Sequence, residues 1–186
     1  IEAALQLRAT HGLKPTDVER MEITVSPFMD RLVGGPFDPS GDPQVAAQFN
    51  IRYSLACAMV RGKLGLAELE NDAVFDPVIG KLVDRVEVKV DPANSGKRGP
   101  AHLAITTAKG ETVSCTVENV PGDENAPMSE EEIRAKCVDC FALGASPLKG
   151  AACDAFMTRL GAVEKLQDMN APVSYTHLRA HETLRY

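Results

Sequence analysis

Few side chains in this sequence could perform acid–base chemistry. Outside the last fourteen residues it contains one tyrosine, Tyr53, and two histidines, His11 and His102. A general acid or base must lie within hydrogen-bond reach of its substrate. His11 precedes Gly12 at a predicted helix end, where a cation favours the helix dipole, so we interpret it as a capping residue. His102 begins a predicted strand. These positions form no constellation, and the sequence assigns no catalytic residue.

Cys137 and Cys140 have the spacing of a redox pair or of half a zinc site. They lie on the predicted apolar stripe of a helix that begins at the capping box Ser129 and Glu132. Zinc sites need about four ligands, and the sequence has neither a second CxxC motif nor clustered histidines. We therefore expect buried core thiols without a metal.

Tyr53 lies in residues 44–62 (QVAAQFNIRYSLACAMVRG), which are almost entirely apolar from Tyr53 to Val60. The pattern predicts one helix, because Asp42 and Pro43 suit its first turn and Gly62 suits its end. Its faces are almost all apolar, so it should be the core helix of a domain. A buried tyrosine usually finds a partner for its hydroxyl, so Tyr53 is either a core ring bonded to a backbone carbonyl or a substrate contact.

The order of elements predicts an α+β fold. Alternating residues indicate strands at 21–25, 86–90, 103–107 and 113–117, with a hairpin at Lys109 and Gly110. Helices are predicted near residues 1–11, 75–83, 129–141 and 148–160, and residues 26–42 as a long loop. We expect a domain with a small antiparallel or mixed sheet covered by helices, followed by helices that join another domain.

Composition limits the partners. Asp and Glu outnumber Lys and Arg by 26 to 20, giving a formal net charge of −6. This balance argues against nucleic acid or an anionic membrane surface as partner. No apolar run approaches the ~20 residues that span a bilayer. Five unevenly spaced cysteines suit reduced thiols in a cytoplasm better than a disulfide framework.

The two ends of the sequence indicate a fragment. Residues 173–183, VSYTHLRAHET, resemble translated read-through of a sequencing adapter letter for letter, and the chain starts at Ile1 without a methionine. We predict an α+β domain at 1–124, a helical segment at 125–172 that joins another domain, and a non-native tail at 173–186.

Several motifs in unbroken order carry a resemblance. They are IEAALQLRATHGLKPTDVERMEITV, AQFNIRYSLACAMVRG, DPVIGKLVDRVEVKVD, KGETVSC and MSEEEIRAKC. Together they resemble the MmgE/PrpD family, the relatives of 2-methylcitrate dehydratase and cis-aconitate decarboxylase. The resemblance implies a two-domain homodimer without metal or organic cofactor, whose active site lies between a large helical domain and an α+β lid. It implies that residues 1–124 are a lid-type domain and that the helices of residues 125–172 belong to the mostly missing all-α domain.

The resemblance also implies roles for residues. The family's catalytic lysine and histidines lie mainly upstream of Ile1, while Tyr53 matches a tyrosine on the lid's core helix. Tyr53 is thus a candidate substrate-binding residue, with Arg52 as a possible carboxylate contact, although an exposed arginine is the simpler expectation. The implied activity is that of a lyase acting on small di- or tricarboxylates. A related isomerase or epimerase, or a non-catalytic α+β interaction module, is the alternative.

Overall fold

The computed structural model describes residues 1–97, 99–144, 147–168 and 170. These form two compact units, Ile1–Pro127 and a second that begins at Met128. The predicted tail, 173–186, lies outside the described residues. In the part of the chain that the structure describes, every helix is too short or too polar to cross a bilayer.

The first unit alternates helices with the strands of one sheet. Its helices are α1 (Glu2–His11), α2 (Pro27–Val33), α3 (Pro43–Gln48), α4 (Ile51–Arg61), α5 (Asn71–Val74) and α6 (Pro77–Val83). Short 3-10 turns lie at Pro15–Asp17 and Leu66–Leu69. Its strands are β1 (Val18–Val25), β2 (Val86–Val90), β3 (Ala101–Thr107) and β4 (Thr112–Val117).

Helix ends follow local chemistry. Gly12 and Gly62 close α1 and α4 in the left-handed conformation, with φ of 61° and 72°. Asp42 and Asp76 each accept an amide hydrogen bond from the first turn of α3 and α6, and a proline follows each of them. These predicted helix signals are confirmed.

The sheet is mixed, with strand order β2-β1-β3-β4. β1 pairs in parallel with β2 and antiparallel with β3, so Met21 lies between Val86 and Ile105. β3 and β4 form the predicted antiparallel hairpin, and Gly110 in its turn has a φ of 82°. The predicted α+β class is confirmed.

One face of the sheet and the helices share a core. β1 contributes four buried side chains to it, Val18, Met21, Ile23 and Val25, and β3 contributes Leu103 and Ile105. Helix α4 contributes most, since Tyr53, Leu55, Ala56, Cys57, Ala58 and Met59 are all buried. The small alanines let α1 and α6 pack close to α4.

Two sequence predictions for this unit are wrong. Residues 44–62 form two helices, because the Asn50 side chain caps α4 and ends the continuity with α3. Phe49 is 52% exposed at that break. The predicted loop 26–42 contains α2, which begins where the buried Ser26 hydroxyl accepts a hydrogen bond from the Met29 amide.

The second unit consists of α7 (Glu130–Ala142), α8 (Ala151–Gly161) and a 3-10 turn at Val163–Lys165. The predicted capping box is confirmed, with Ser129 and Glu132 bonded reciprocally. Phe141 and Phe156 meet edge to face at 5.0 Å between ring centroids. Phe156 is only 5% exposed, and Phe141 is half-buried.

Candidate functional site

The first turn of α4 holds a neighbouring loop in place through Asn50. The Asn50 side-chain oxygen accepts a hydrogen bond from the Tyr53 amide at 3.1 Å. Its Nδ2 donates to the Gly35 and Pro36 carbonyls at 3.0 and 3.2 Å. Asn50 is buried, so these bonds are shielded from water. One side chain thus fixes both the helix start and the loop.

Arg52 strengthens the same attachment. Its Nη1 donates to the Gly34 carbonyl and, at 2.7 Å, to the Gly35 carbonyl. The side chain is half-buried rather than exposed, contrary to the simpler sequence expectation. Its positive charge is therefore directed at backbone oxygens of the loop, and carboxylate binding by Arg52 stays a prediction.

Tyr53 lies against the same loop, and its side chain is fully enclosed. Its side chain has no exposed surface, and its ring stacks on Phe37 with centroids 5.1 Å apart. The hydroxyl donates to the Glu68 carbonyl. Burial raises the pKa of Tyr53, so the phenol keeps its proton at neutral pH and acts as a donor. This is the arrangement expected of a core ring, and a substrate contact remains a prediction.

Polar groups continue beyond the phenol. The Glu68 carboxylate is buried, accepts from the Gly65 amide at 2.9 Å and lies 3.5 Å from Lys63 Nζ. The Cys57 thiol lies 3.9 Å from the Lys63 carbonyl. Burial raises the pKa of Cys57 to about 11, so this thiol is not a nucleophile at neutral pH.

A cavity of about 220 Å³ opens on another face of α4. The ends of β1 and α2 form its far wall. Asn50, Gln48 and Ser54 are its polar lining residues, and the apolar ones include Ile23, Val25, Met29, Val33, Ile51 and Leu55. Such a lining suits an alkyl group better than a carboxylate.

The other candidate side chains lie elsewhere. His11 is exposed at the end of α1, and His102 is exposed on β3, where its Nδ1 lies 2.9 Å from the Thr116 hydroxyl. Cys140 is exposed and Cys137 half-buried on α7, so the prediction that both thiols are buried is wrong. Among the described residues, no three His, Cys, Asp or Glu side chains cluster as a metal site.

Sequence reasoning missed the loop that α4 holds. Gly34, Gly35, Pro36 and Phe37 supply three carbonyls and the ring that covers Tyr53. The signal that could have indicated this attachment was Asn50, because an asparagine inside an apolar segment is a typical N-cap residue. The carbonyl of Glu68 could not be assigned, because a backbone acceptor leaves no trace in residue type.

The family model of the MmgE/PrpD C-terminal domain matches residues 1–149. The chain belongs to the MmgE/PrpD family. The matched C-terminal domain includes the whole first unit and α7, and it ends just before α8. The α4 site and its loop therefore lie within the family domain. No curated protein matched the chain in a separate comparison.

Proposed function

We propose that this chain is part of a lyase that acts on small di- or tricarboxylates. The supporting observation is the match of the MmgE/PrpD C-terminal domain to residues 1–149, since members of that family are dehydratases and lyases. The reactions proposed are dehydration of the 2-methylcitrate type or decarboxylation of the cis-aconitate type. A base removes a proton beside a carboxylate-stabilised carbon, and water or carbon dioxide leaves.

In this proposal the chain's part is to bind substrate, while the acid and base are supplied by a helical domain upstream. Arg52 is the cation at the start of α4, and it now holds the Gly34 and Gly35 carbonyls. A substrate carboxylate that displaced these carbonyls would gain a bidentate, charge-assisted contact. The loop segment 34–37 therefore has to move when substrate binds.

Tyr53 has a related role in the proposal. Phe37 covers its ring, so the same loop movement uncovers it. Because its pKa is raised, Tyr53 serves as a neutral hydrogen-bond donor to a carboxylate and not as the base. To do so it exchanges the Glu68 carbonyl for the substrate.

The test is an assay of the full chain on 2-methylcitrate and cis-aconitate, alone and with a family helical domain supplied in trans. Sedimentation first establishes that the two proteins associate. We expect turnover in the mixture and none with the chain alone. Arg52→Ala should lower kcat/KM about 10-fold to 100-fold, mainly through KM, because it removes a carboxylate contact.

Two controls separate binding from folding. Arg31→Ala removes an exposed arginine from the neighbouring α2 and should leave turnover unchanged. Tyr53→Phe keeps the ring and removes the donor, so a drop in turnover without loss of melting temperature supports the substrate contact. Turnover by the chain alone, or an associated mixture inactive on both acids, contradicts the proposal. In the latter case an epimerase assay distinguishes an isomerase from a non-catalytic module.

A further inference from the structure

The cavity beside α4 is apolar at its base, and none of its lining side chains is charged. Ile23, Val25 and Leu55 are at most 4% exposed and form the floor of the cavity. Met29 and Val33 of α2 are half-buried and form one wall. The cavity is therefore a recess that excludes water at its base and opens at the surface.

Two polar side chains of this cavity are available to a ligand. Among the described residues, the side chains of Gln48 and Ser54 bond to no other group, although both line the cavity. Asn50 differs, because its amide already bonds to the Tyr53 amide and to two carbonyls of the loop. An apolar recess with a few polar groups that can orient a ligand is the usual form of a small-molecule site.

The wall of the cavity continues directly into the loop that Arg52 holds. Val33 is the last residue of α2, and the next residue, Gly34, offers its carbonyl to Arg52. A carboxylate that replaces this carbonyl on Arg52 would therefore lie one residue away from the cavity wall. The site for a charged group and the site for an apolar group are neighbours.

The volume of the cavity indicates the size of the group that fills it. An engineered apolar cavity of about 150 Å³ stays dry and accepts benzene, which has six carbons. The cavity beside α4 is larger, at about 220 Å³, although its open side is shared with solvent. A single methyl group would leave most of its surface without contacts and forgo their dispersion energy.

We propose that this cavity binds an alkyl group of about four to six carbons on the acid that the chain binds. The carboxylates of the acid contact Arg52 once the loop has moved, and its alkyl group enters the cavity along Val33. The inference rests on the carboxylate contact in the proposed function. It identifies the substrate class as di- or tricarboxylates with an alkyl group longer than the methyl of 2-methylcitrate.

Binding of alkylmalonates to the full chain tests this inference, because these acids share two carboxylates and differ only in the alkyl group. NMR titration gives the Kd of the methyl, ethyl, butyl, hexyl and decyl members. We expect the Kd to fall about fourfold with each added methylene up to butyl. Beyond hexyl it should level off or rise, because the cavity is then full.

Two substitutions should move the preferred chain length in opposite directions. Ala101→Leu adds three carbons to a half-buried lining residue at the start of β3, so the optimum should shorten by about three carbons. Met29→Ala enlarges the cavity and should lengthen the optimum by a similar amount. A folding defect would instead weaken the binding of every member in parallel.

Ala104→Leu is the matched control. Ala104 lies on the same strand as Ala101 but on the opposite face of the sheet, so the dependence of Kd on chain length should not change. Arg52→Ala removes the cation that all the malonates share, so it should weaken them alike by about 10-fold or more.

Three results overturn the inference. They are Kd values independent of chain length, an Ala101→Leu variant with the original optimum, and loss of butylmalonate binding when the helical domain associates. The last result would mean that a side chain of that domain fills the cavity.

Turnover by the mixture with the helical domain separates this inference from the proposed function. A mixture that acts on 2-methylcitrate, but no faster on 2-butylcitrate, contradicts the alkyl site and leaves the lyase proposal intact. A mixture inactive on both acids, with the expected malonate profile, contradicts the lyase proposal and supports the alkyl site.

Discussion

The two units of the chain differ in what their helices pack against. In Ile1–Pro127 the helices cover one face of a sheet, and α4 buries six residues between the sheet and other helices. In the second unit α7 has no buried residue, and α8 buries only Cys153 and Phe156. A sheet gives each helix a wide apolar surface, whereas two helices can cover only one stripe of each other.

The exposed apolar residues of the second unit follow from this difference. Ile133 and Leu143 of that unit are 46% and 53% exposed, although α7 has good capping and strong helix-forming residues. Local signals therefore suffice to form α7, while burial requires further protein. The contrast predicts that equal substitutions will have unequal effects in the two units.

Leucine truncation should give the largest difference in stability loss between the two units. Leu55→Ala removes a side chain that is 2% exposed and leaves a cavity beside the sheet, so it should lower the free energy of unfolding by about 2–5 kcal/mol. Leu160→Ala removes one that is 40% exposed and should cost about 0.5 kcal/mol or less. Urea unfolding of both variants measures the difference. Equal losses would mean that α8 is as well packed as α4.

Removal of a helix cap should give an intermediate difference in stability loss between the two units. Asn50→Ala removes the α4 cap, the donor to the Pro36 carbonyl and one of the two donors to the Gly35 carbonyl, so we expect a loss of about 2 kcal/mol. Ser129→Ala removes an exposed cap from α7 and should cost about 1 kcal/mol of local helix stability. Circular dichroism during urea unfolding reports both. Asn50→Asp is the informative control, since it restores the cap but not the two donors.

Alkaline pH should give the smallest difference in stability loss between the two units. The pKa of Cys57 is raised to about 11 by burial, so the folded state holds this proton more tightly than the unfolded state. The stabilisation that this proton provides is fully present below about pH 9 and is lost as the pH rises through about 11. At pH 10 the free energy of unfolding of the first unit should therefore be lower by ~1 kcal/mol. Tyr53 acts in the same direction at higher pH.

Unfolding at pH 7 and pH 10, with Cys57→Ala as control, measures this loss. The variant should lose less stability than the original chain over that range. If both lose the same amount, the Cys57 thiol is not the group responsible.

Local chemistry explains why part of this structure could be predicted from sequence. Helix starts are indicated by Asp42, Asp76 and Ser129, and strands are indicated by alternating valines. Both signals can be recognised because a cap and the alternation of a strand each involve only a few neighbouring residues. The same rule overlooked Ser26 with Pro27, which begins α2. The prediction also overlooked Asn50. Its side chain caps α4 and so separates two helices in a segment that was predicted to be one.

What could not be predicted depends on distant parts of the chain. The parallel pairing of β1 with β2 brings together segments that no local signal connects. At the candidate site, the family resemblance predicted roles for Tyr53 and Arg52, but their partners in the structure are the backbone carbonyls of Glu68, Gly34 and Gly35. Every residue has a carbonyl, so only the fold selects which ones meet a given side chain.

The position of β1 in the sheet has a consequence for synthesis of the protein. β1 leaves the ribosome before its two neighbours, β2 and β3, which end at residues 90 and 107. A nascent chain that has not passed Val86 holds Met21, Ile23 and Val25 without these two strands to pair them. Such long-range contacts slow folding and prolong exposure of the apolar strand. Translation beyond Thr107 is therefore required before β1 can pair on both sides.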